Sequence, residues 1–467
     1  MKPLSKNIIS LTAADGLGRL LSFIAITYLA RTLGAEAMGI LAVGMAILAY
    51  TSITANAGLP ILGTRFVASG IDNKPFLIKR ICTARILLSL LSLTIAGCLL
   101  WVLLKDEQTR TIALLYLLSL IPSAFFLEWF FQGVNKMTTL AIGRILSMSV
   151  YLILILLFVG KQASLFYVPV VWLVSIAVQA VYLWHIYLKE KYHIKETTLG
   201  PLNLFPLIKK GIPLAVATLI SQIIVQFPIL YIGFFESKGN AGVYSVAFRV
   251  VVLLLVLDRV FYTVFFPAIS RSVKHSPDQL EIRFNRILKY ISTGTFYIAT
   301  VFILAGNSIF PIIFGPQFHA SGLIFQLLII YFVITVQNSV FTFTMIALGK
   351  EKVYTQSLMI GGLVFFAIML LPLPYPSTII APIGLTFFQV TSMLYMMKNL
   401  SREISLKIGR TFFLPLLCTI VLLILYAQLG YDHKLLSLIL VLITLPIFAI
   451  ASGINRSDLT FLKDLLV

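Results

Sequence analysis

Polar and apolar residues in this chain neither alternate nor line one face of a helix. The apolar ones come instead in runs of about 20, the length of an α-helix that crosses a bilayer, with short polar segments between them. About 14 such runs fall near residues 8–30, 38–62, 81–104, 111–132, 138–160, 165–188, 211–235, 242–267, 287–313, 320–347, 354–373, 378–398, 411–429 and 435–453. Lipid offers no partner for a free backbone N–H or C=O, so runs of this length close their hydrogen bonds as helices. The pattern predicts an all-α, polytopic membrane protein. Charged residues make up only 11% of the 467 residues, against about 25% in soluble domains, which excludes a soluble fold.

The basic residues set the expected orientation. With the N-terminus in the cytoplasm, most of the 36 Lys and Arg lie in cytoplasmic connections and tails, as the positive-inside rule requires. The stretches Arg65 to Arg80, Lys189 to Lys210, Arg271 to Arg286 and Lys398 to Arg410 carry most of that charge. Both termini are expected in the cytoplasm. Met1 to Lys6 is short and basic, but the apolar run behind it is too long for a signal-peptide core and lacks a small-residue cleavage site, so it reads as an uncleaved first span.

Two halves share landmarks. Met38-Gly39-Ile40 opens the second run and Ala241-Gly242-Val243 the eighth. Lys6 and Lys209 precede the first and seventh runs at the same offset. Gln132-Gly133-Val134-Asn135-Lys136 parallels Leu348-Gly349-Lys350-Glu351-Lys352 after the fourth and tenth runs. Both repeats start on the cytoplasmic side, which predicts a parallel duplication of two six-helix lobes, residues 1–190 and 191–400, with two appended helices and a cytoplasmic tail in 401–467. Transporters built from repeats bind substrate between them near the midplane and rock one against the other.

Five arginines and three acids interrupt the apolar runs: Arg19, Arg85, Arg144, Arg249 and Arg259, with Asp15, Glu128 and Asp258. Each arginine facing lipid at the bilayer centre would cost about 2.5–3.5 kcal/mol, so all are expected to face each other, the acids or a wet cavity. Asp15 and Arg19 lie one turn apart on the first run and share a face. They fit a structural ion pair and a site that takes up a coupling proton equally well. Arg85 shares a face with Ser89 and Ser92 and fits a side chain snorkelling to the cytoplasmic edge. Arg144 lies deeper, above Ser147 and Tyr151, and Glu128 pairs by spacing with Gln132 and by charge with the arginines of its half. Asp258 and Arg249 project in nearly opposite directions around their helix, so one arginine is expected inward and Asp258 bonded to a neighbour. Gln222, Gln226, Gln337 and Asn338 read as packing glue between helices, and Pro228 as a bend. The proline cluster Pro372, Pro374, Pro376 and Pro382 reads as a rigid external turn.

An interior richer in arginine than acid selects anions. The guanidinium stays charged when desolvated and offers paired donors that match phosphate oxygens. Cationic cargo would be repelled. The net charge of +19 does not point to nucleic acid, because no long polar segment supplies a basic face. Cys82 and Cys98 lie about 24 Å apart on one helix at about 1.5 Å per residue, beyond disulfide reach, and the scattered histidines have no metal-ligand spacing. Neither a cofactor nor a metal is expected. The short external connections hold no domain for polymerase or ligase chemistry, so an enzyme is not expected.

Tyr28-Leu-Ala-Arg-Thr-Leu-Gly-Ala-Glu-Ala-Met-Gly39, Ala57-Gly58-Leu59, Glu128-Trp129-Phe130-Phe131-Gln132-Gly133 and Gly242-Val243-Tyr244-Ser245 with Ala247 and Arg249 resemble the Wzx-type oligosaccharide flippases of the MOP exporter superfamily. The resemblance implies two six-helix lobes in a bacterial inner membrane. It implies movement of an undecaprenyl diphosphate-linked oligosaccharide from the cytoplasmic to the outer leaflet, for O-antigen or other polysaccharide biosynthesis. It also implies coupling to an H+ or Na+ gradient and work beside a polysaccharide polymerase machinery. Arg19, Arg144 and Arg249, with Arg85 and Arg259, would then hold the anionic headgroup, while Asp15, Glu128 and Asp258 are candidates for the coupling ion. Three alternatives share features of the chain: a lipid II flippase of the MurJ type, a MATE-type drug exporter, and, from another class, a membrane oligosaccharide polymerase or ligase.

Overall fold

The structure is a computed structural model that describes residues 3–70, 73–160, 165–190, 203–275, 277–407 and 409–429. Every regular element among these residues is a helix. Nine are long and apolar enough to cross a membrane, or ten if the bent pair Leu204–Ile220 and Gln222–Phe235 counts as one span. The expected span at 435–453 lies outside the described residues, as does the side chain of Asp15. The chain falls into two compact units, Met1–Val246 and Ala247–Val467.

In the first unit, α1 (Pro3–Asn56) contains the first two expected spans, joined through a kink at Gly34, whose φ of 89° is open to glycine at little steric cost. The second run does not extend to residue 62. Ala57 and Gly58 take positive φ values of 44° and 72° and end the helix, and a short apolar helix, α2 (Leu59–Ala68), follows with proline in its first turn. Next come α3 (Lys74–Leu103), α4 (Glu107–Leu118), α5 (Leu120–Ala124) and α6 (Glu128–Gly133). The expected span at 111–132 is therefore three short helices. The unit continues through α7 (Met137–Phe158), α8 (Tyr167–Lys189) and α9 (Leu204–Phe235) into the start of α10 (Lys238–Leu254).

The bend expected at Pro228 lies elsewhere. Helix α9 turns by 50° between Ile220 and Gln222, next to Ile223, whose carbonyl accepts a 3.0 Å bond from the Tyr50 hydroxyl. A side chain reaching into the helical ladder is a recognised cause of such a bend.

Glycines set the closest approaches. A Cβ on Gly39 would lie 1.7 Å from the Lys238 carbonyl oxygen, and one on Gly242 would lie 1.8 Å from that of Ala35. The two glycines that mark equivalent points of the sequence repeat thus meet backbone to backbone. The break after α1 is seated the same way: a Cβ on Gly58 would lie 2.2 Å from the Gly211 oxygen, and one on Gly211 would lie 2.2 Å from the Ala57 oxygen.

The second unit holds the rest of α10, α11 (Val256–His275), α12 (Pro277–Phe314), α13 (His319–Ala347), α14 (Glu351–Leu370), α15 (Ser377–Leu400) and α16 (Leu414–Leu429). The expected span at 242–267 is interrupted at Leu255, and α13 runs unbroken through Gln337 and Asn338. The Asn338 amide donates to Gln389 of α15 at 2.7 Å, a helix-to-helix bond of the kind polar residues make in membranes. Gln337 is fully enclosed, with neither end of its amide bonded among the described residues. Asn285 of α12 pins the segment after α15 by donating to the Ser405 carbonyl and accepting from the Lys407 amide.

Two predictions follow from this packing. Gly39→Ala or Gly242→Ala places a methyl group into backbone, so each should destabilise by about 1–3 kcal/mol and lower the thermal melting midpoint in detergent. Gly16→Ala, with nothing within 4 Å of the added carbon, should not. The second concerns Asp106, which caps α4 by accepting from the Gln108 and Thr109 amides and the Thr109 hydroxyl. Partial desolvation alone would raise its carboxyl; those bonds and the Lys238 ammonium outweigh it and hold the group below its ordinary value. Its contribution is therefore present above the unfolded-state pKa and disappears as pH falls through the lower folded value. Melting of wild type against Asp106→Asn should differ at neutral pH and converge in acid.

Candidate functional site

The chemistry of the first unit is organised by the gap between α5 and α6. Residues Phe125 to Leu127 leave the helical path, and carbonyls freed within a membrane protein need other donors. Arg85 of α3 supplies two: Nη1 donates to the Phe126 oxygen at 3.0 Å and Nη2 to the Ser123 oxygen at 2.6 Å. Its Nε donates to Asn56 Oδ1 at the end of α1, at 3.1 Å. Trp184 of α8 donates from its indole nitrogen to the Phe125 oxygen at 2.9 Å. At 3% exposure Arg85 does not snorkel, which corrects that expectation. Its guanidinium fits backbone oxygens because carbonyls at a helix break carry the partial negative charge it requires.

Below the gap, the aromatic run of α6 is an anchor. Trp129, Phe130 and Phe131 are buried, and Phe130 meets Tyr187 of α8 edge to face with centroids 5.5 Å apart. Helix α2 lies close against it: a Cβ on Gly63 would lie 2.4 Å from the Trp129 ring, and one on Gly133 would lie 2.6 Å from Val67. This packing fixes the first turn of α6 and with it Glu128.

Glu128 gathers the second polar cluster. Its Oε1 accepts from Arg144 Nε of α7 at 3.1 Å and from Gln179 Nε2 of α8 at 2.6 Å, and its Oε2 accepts from Arg144 Nη2 at 2.8 Å. The forked pair is the strong form of a carboxylate–guanidinium contact. The two side chains keep 28% and 24% of their surface exposed, unlike the enclosed Arg85. Sequence spacing suggested Gln132 as the partner of Glu128; Gln179, on another helix, takes that place. Arg19 is half-buried on α1 and engaged in contacts within the fold.

In the second unit, Arg249 is half-buried on α10 and makes no ion pair or hydrogen bond among the described residues. Asp258, in the first turn of α11, lines a small cavity together with Ser339 of α13, and its Oδ1 is enclosed without a described partner. The cavity beside it, walled by Phe261, Phe265, Phe266 and Phe343, has a volume of about 10 Å³, at the lower limit for one water. Arg259, the next residue, is exposed and keeps a contact of its own.

The two arginine clusters predict different losses. Arg85→Leu strands the Phe126 carbonyl and the Asn56 amide oxygen, at about 1–3 kcal/mol for each group left unsatisfied, while the Ser123 oxygen keeps the Phe126 amide; it should lower the melting midpoint and yield of folded protein. Arg85→Lys should recover only part of that, since one ammonium cannot reproduce the fork. Arg144→Gln should melt closer to wild type, because the pair it breaks is only partly enclosed and Glu128 keeps Gln179 as a donor. Thermal unfolding in detergent of the three variants checks the order.

Comparison with known proteins supplies the frame for these clusters. A protein designated an O-antigen transporter in Escherichia coli (strain K12) is 21% identical over 364 residues, covering 77% of this chain and 88% of its own length. One so designated in Shigella dysenteriae is 21% identical over 401 residues, covering 85% and 99%. Among solved structures, a lipid II flippase MurJ in an inward closed conformation superposes with a TM-score of 0.76 at 14% identity, covering 98% of this chain and 100% of its own. An inward-facing multidrug MATE transporter of the MOP superfamily superposes at 0.64 and 13% identity, covering 82% and 95%. The fold is thus that of the MOP transporters, in a multi-pass membrane protein whose relatives are transporters and flippases rather than enzymes. With its residues 4–273 matching the family model, the chain belongs to the polysaccharide biosynthesis protein family.

Proposed function

We propose that the chain is a flippase that moves undecaprenyl diphosphate-linked oligosaccharide repeat units from the cytoplasmic to the outer leaflet of a bacterial inner membrane. Movement is by alternating access, with both termini cytoplasmic and an H+ or Na+ gradient as the drive. The observation that carries this reading is the arginine chemistry inside a chain of the polysaccharide biosynthesis family. Arg249 stands half-buried in an apolar helix with no counter-charge among the described residues, and Arg144 is held by an acid that is only partly enclosed. A diphosphate supplies the missing charge and matches the guanidinium fork.

In this reading Arg144 exchanges its carboxylate for the diphosphate, and Glu128, released, takes up a proton. Arg19 and Arg249 are the further headgroup contacts, and Arg259 guides the headgroup from an exposed position. Asp15 and Asp258 are the remaining candidates for the coupling ion, the enclosed Asp258 being sized for a proton or a single small ion. Arg85 acts on the site only by holding the break that aims Glu128. A polysaccharide polymerase machinery would receive the translocated lipid.

A second reading, lipid II flipping, is favoured by the extent of the structural match, which spans 98% of the chain. Proteoliposomes separate the two. With undecaprenyl diphosphate-linked oligosaccharide, wild type should expose substrate on the far leaflet faster under an imposed pH gradient, Arg249→Ala should slow movement about tenfold or more, and Glu128→Gln should move substrate without responding to the gradient. Movement of lipid II alone would favour the second reading. Unchanged rates in Arg249→Ala would remove that residue from the site.

A further inference from the structure

The first unit contains a cavity of about 230 Å³ where two interrupted helices face one another. One wall is the end of α1 and the turn into α2, with Ser52, Asn56 and Gly58; the other is α9 around its bend, with Thr218 and Gln222. The reciprocal backbone contacts of Gly58 and Gly211 fix the spacing of these walls. Unlike the arginine clusters, the cavity is lined by no charged side chain among the described residues.

Its polar groups have determined roles. The Asn56 Oδ1 accepts from Arg85 at 3.1 Å, which turns its NH2 group to the other side as a donor. Ser52 donates its hydroxyl hydrogen to the Ala49 oxygen at 2.8 Å and Thr218 to the Leu214 oxygen at 3.0 Å, so each hydroxyl oxygen remains an acceptor. Gln222 makes no hydrogen bond among the described residues and offers both a donor and an acceptor. Pro60 and Ile61 complete the lining with apolar surface. An ion would find no counter-charge in this space, and a lipid chain would leave the Asn56 NH2 group and both ends of the Gln222 amide without partners at a cost. A sugar ring, whose hydroxyls both donate and accept and whose C–H faces are apolar, matches each part.

We propose that this cavity is a subsite for a neutral sugar residue of the translocated glycan, recognised through hydroxyl or acetamido groups and separate from the arginines that hold the diphosphate. The proposal rests on the flippase reading for the source of the sugar. The site gives the chain selectivity at one sugar of the repeat unit, because a site built to bond a hydroxyl discriminates strongly against an analogue lacking it.

The test uses the full chain in detergent, titrated with glucose, galactose, rhamnose, N-acetylglucosamine and their 1,4-linked disaccharides, and separately with inorganic diphosphate, with thermal melting as the readout. At least one saccharide should raise the wild-type midpoint, and Gln222→Leu and Thr218→Val should each weaken that saccharide's apparent affinity about fivefold or more while leaving the diphosphate response unchanged. Gln226→Leu, on the same helix but outside the cavity, should retain both responses. A wild-type protein indifferent to every saccharide, or a Gln222→Leu protein as responsive as wild type, overturns the proposal. A saccharide response that passes this test in a protein that moves no polyprenyl-linked saccharide in proteoliposomes would leave the subsite standing and remove the flippase reading.

Discussion

Most of the first unit depends on how one gap in a helix is satisfied. A backbone carbonyl without a donor is costly in a medium without water, and the gap between α5 and α6 leaves those of Phe125 and Phe126 outside the helical ladder. Arg85 and Trp184, from helices before and after the gap, close on those oxygens. The same guanidinium reaches Asn56, where α1 itself ends. One buried arginine therefore joins two chain breaks, and both functional features of the unit lie at those breaks. Glu128 opens the helix below one, and the neutral cavity forms beside the other.

This arrangement divides residues of identical chemistry into different tasks. Arg85 and Arg144 each sit in a mostly apolar helix and each donates to oxygens. The partners of Arg85 are backbone oxygens that cannot move without unfolding the turn, plus an amide. Those of Arg144 include a side-chain carboxylate that can be protonated and rotated. Enclosure follows the same division, with Arg85 at 3% exposure and Arg144 at about a quarter. The exposed pair is the one suited to exchange with an anionic ligand. In the second unit the division recurs in another form, since Asp258 lines an enclosed cavity with Ser339 while Arg249 has no counter-charge among the described residues.

Much of this was legible in the amino-acid sequence, because span length and intramembrane charge are strong one-dimensional signals. The runs at 81–104, 138–160 and 378–398 appear as α3, α7 and α15 with ends displaced by a few residues. The Gly39 and Gly242 motifs carried information about a contact, because only glycine allows backbones to touch. The resolution of 111–132 into three pieces was not legible, since an apolar run reads alike whether its helix is continuous or broken. Nor was the task of Arg85, because carbonyl acceptors are present at every residue and leave no trace in side-chain pattern. By its spacing Gln222 reads as packing glue; its place in a cavity follows from the bend of α9, which lies beside a contact with Tyr50 on a helix distant in sequence.

In the proposed cycle the Arg144–Glu128 pair opens when an anionic headgroup binds. Difference infrared spectroscopy of the purified chain, with and without undecaprenyl diphosphate-linked oligosaccharide, reads the carboxyl of Glu128 directly. Substrate should produce a protonated-carboxyl band in wild type that is absent from Glu128→Gln. A Glu128 that remains ionised and spectrally unchanged at saturating substrate would contradict the account.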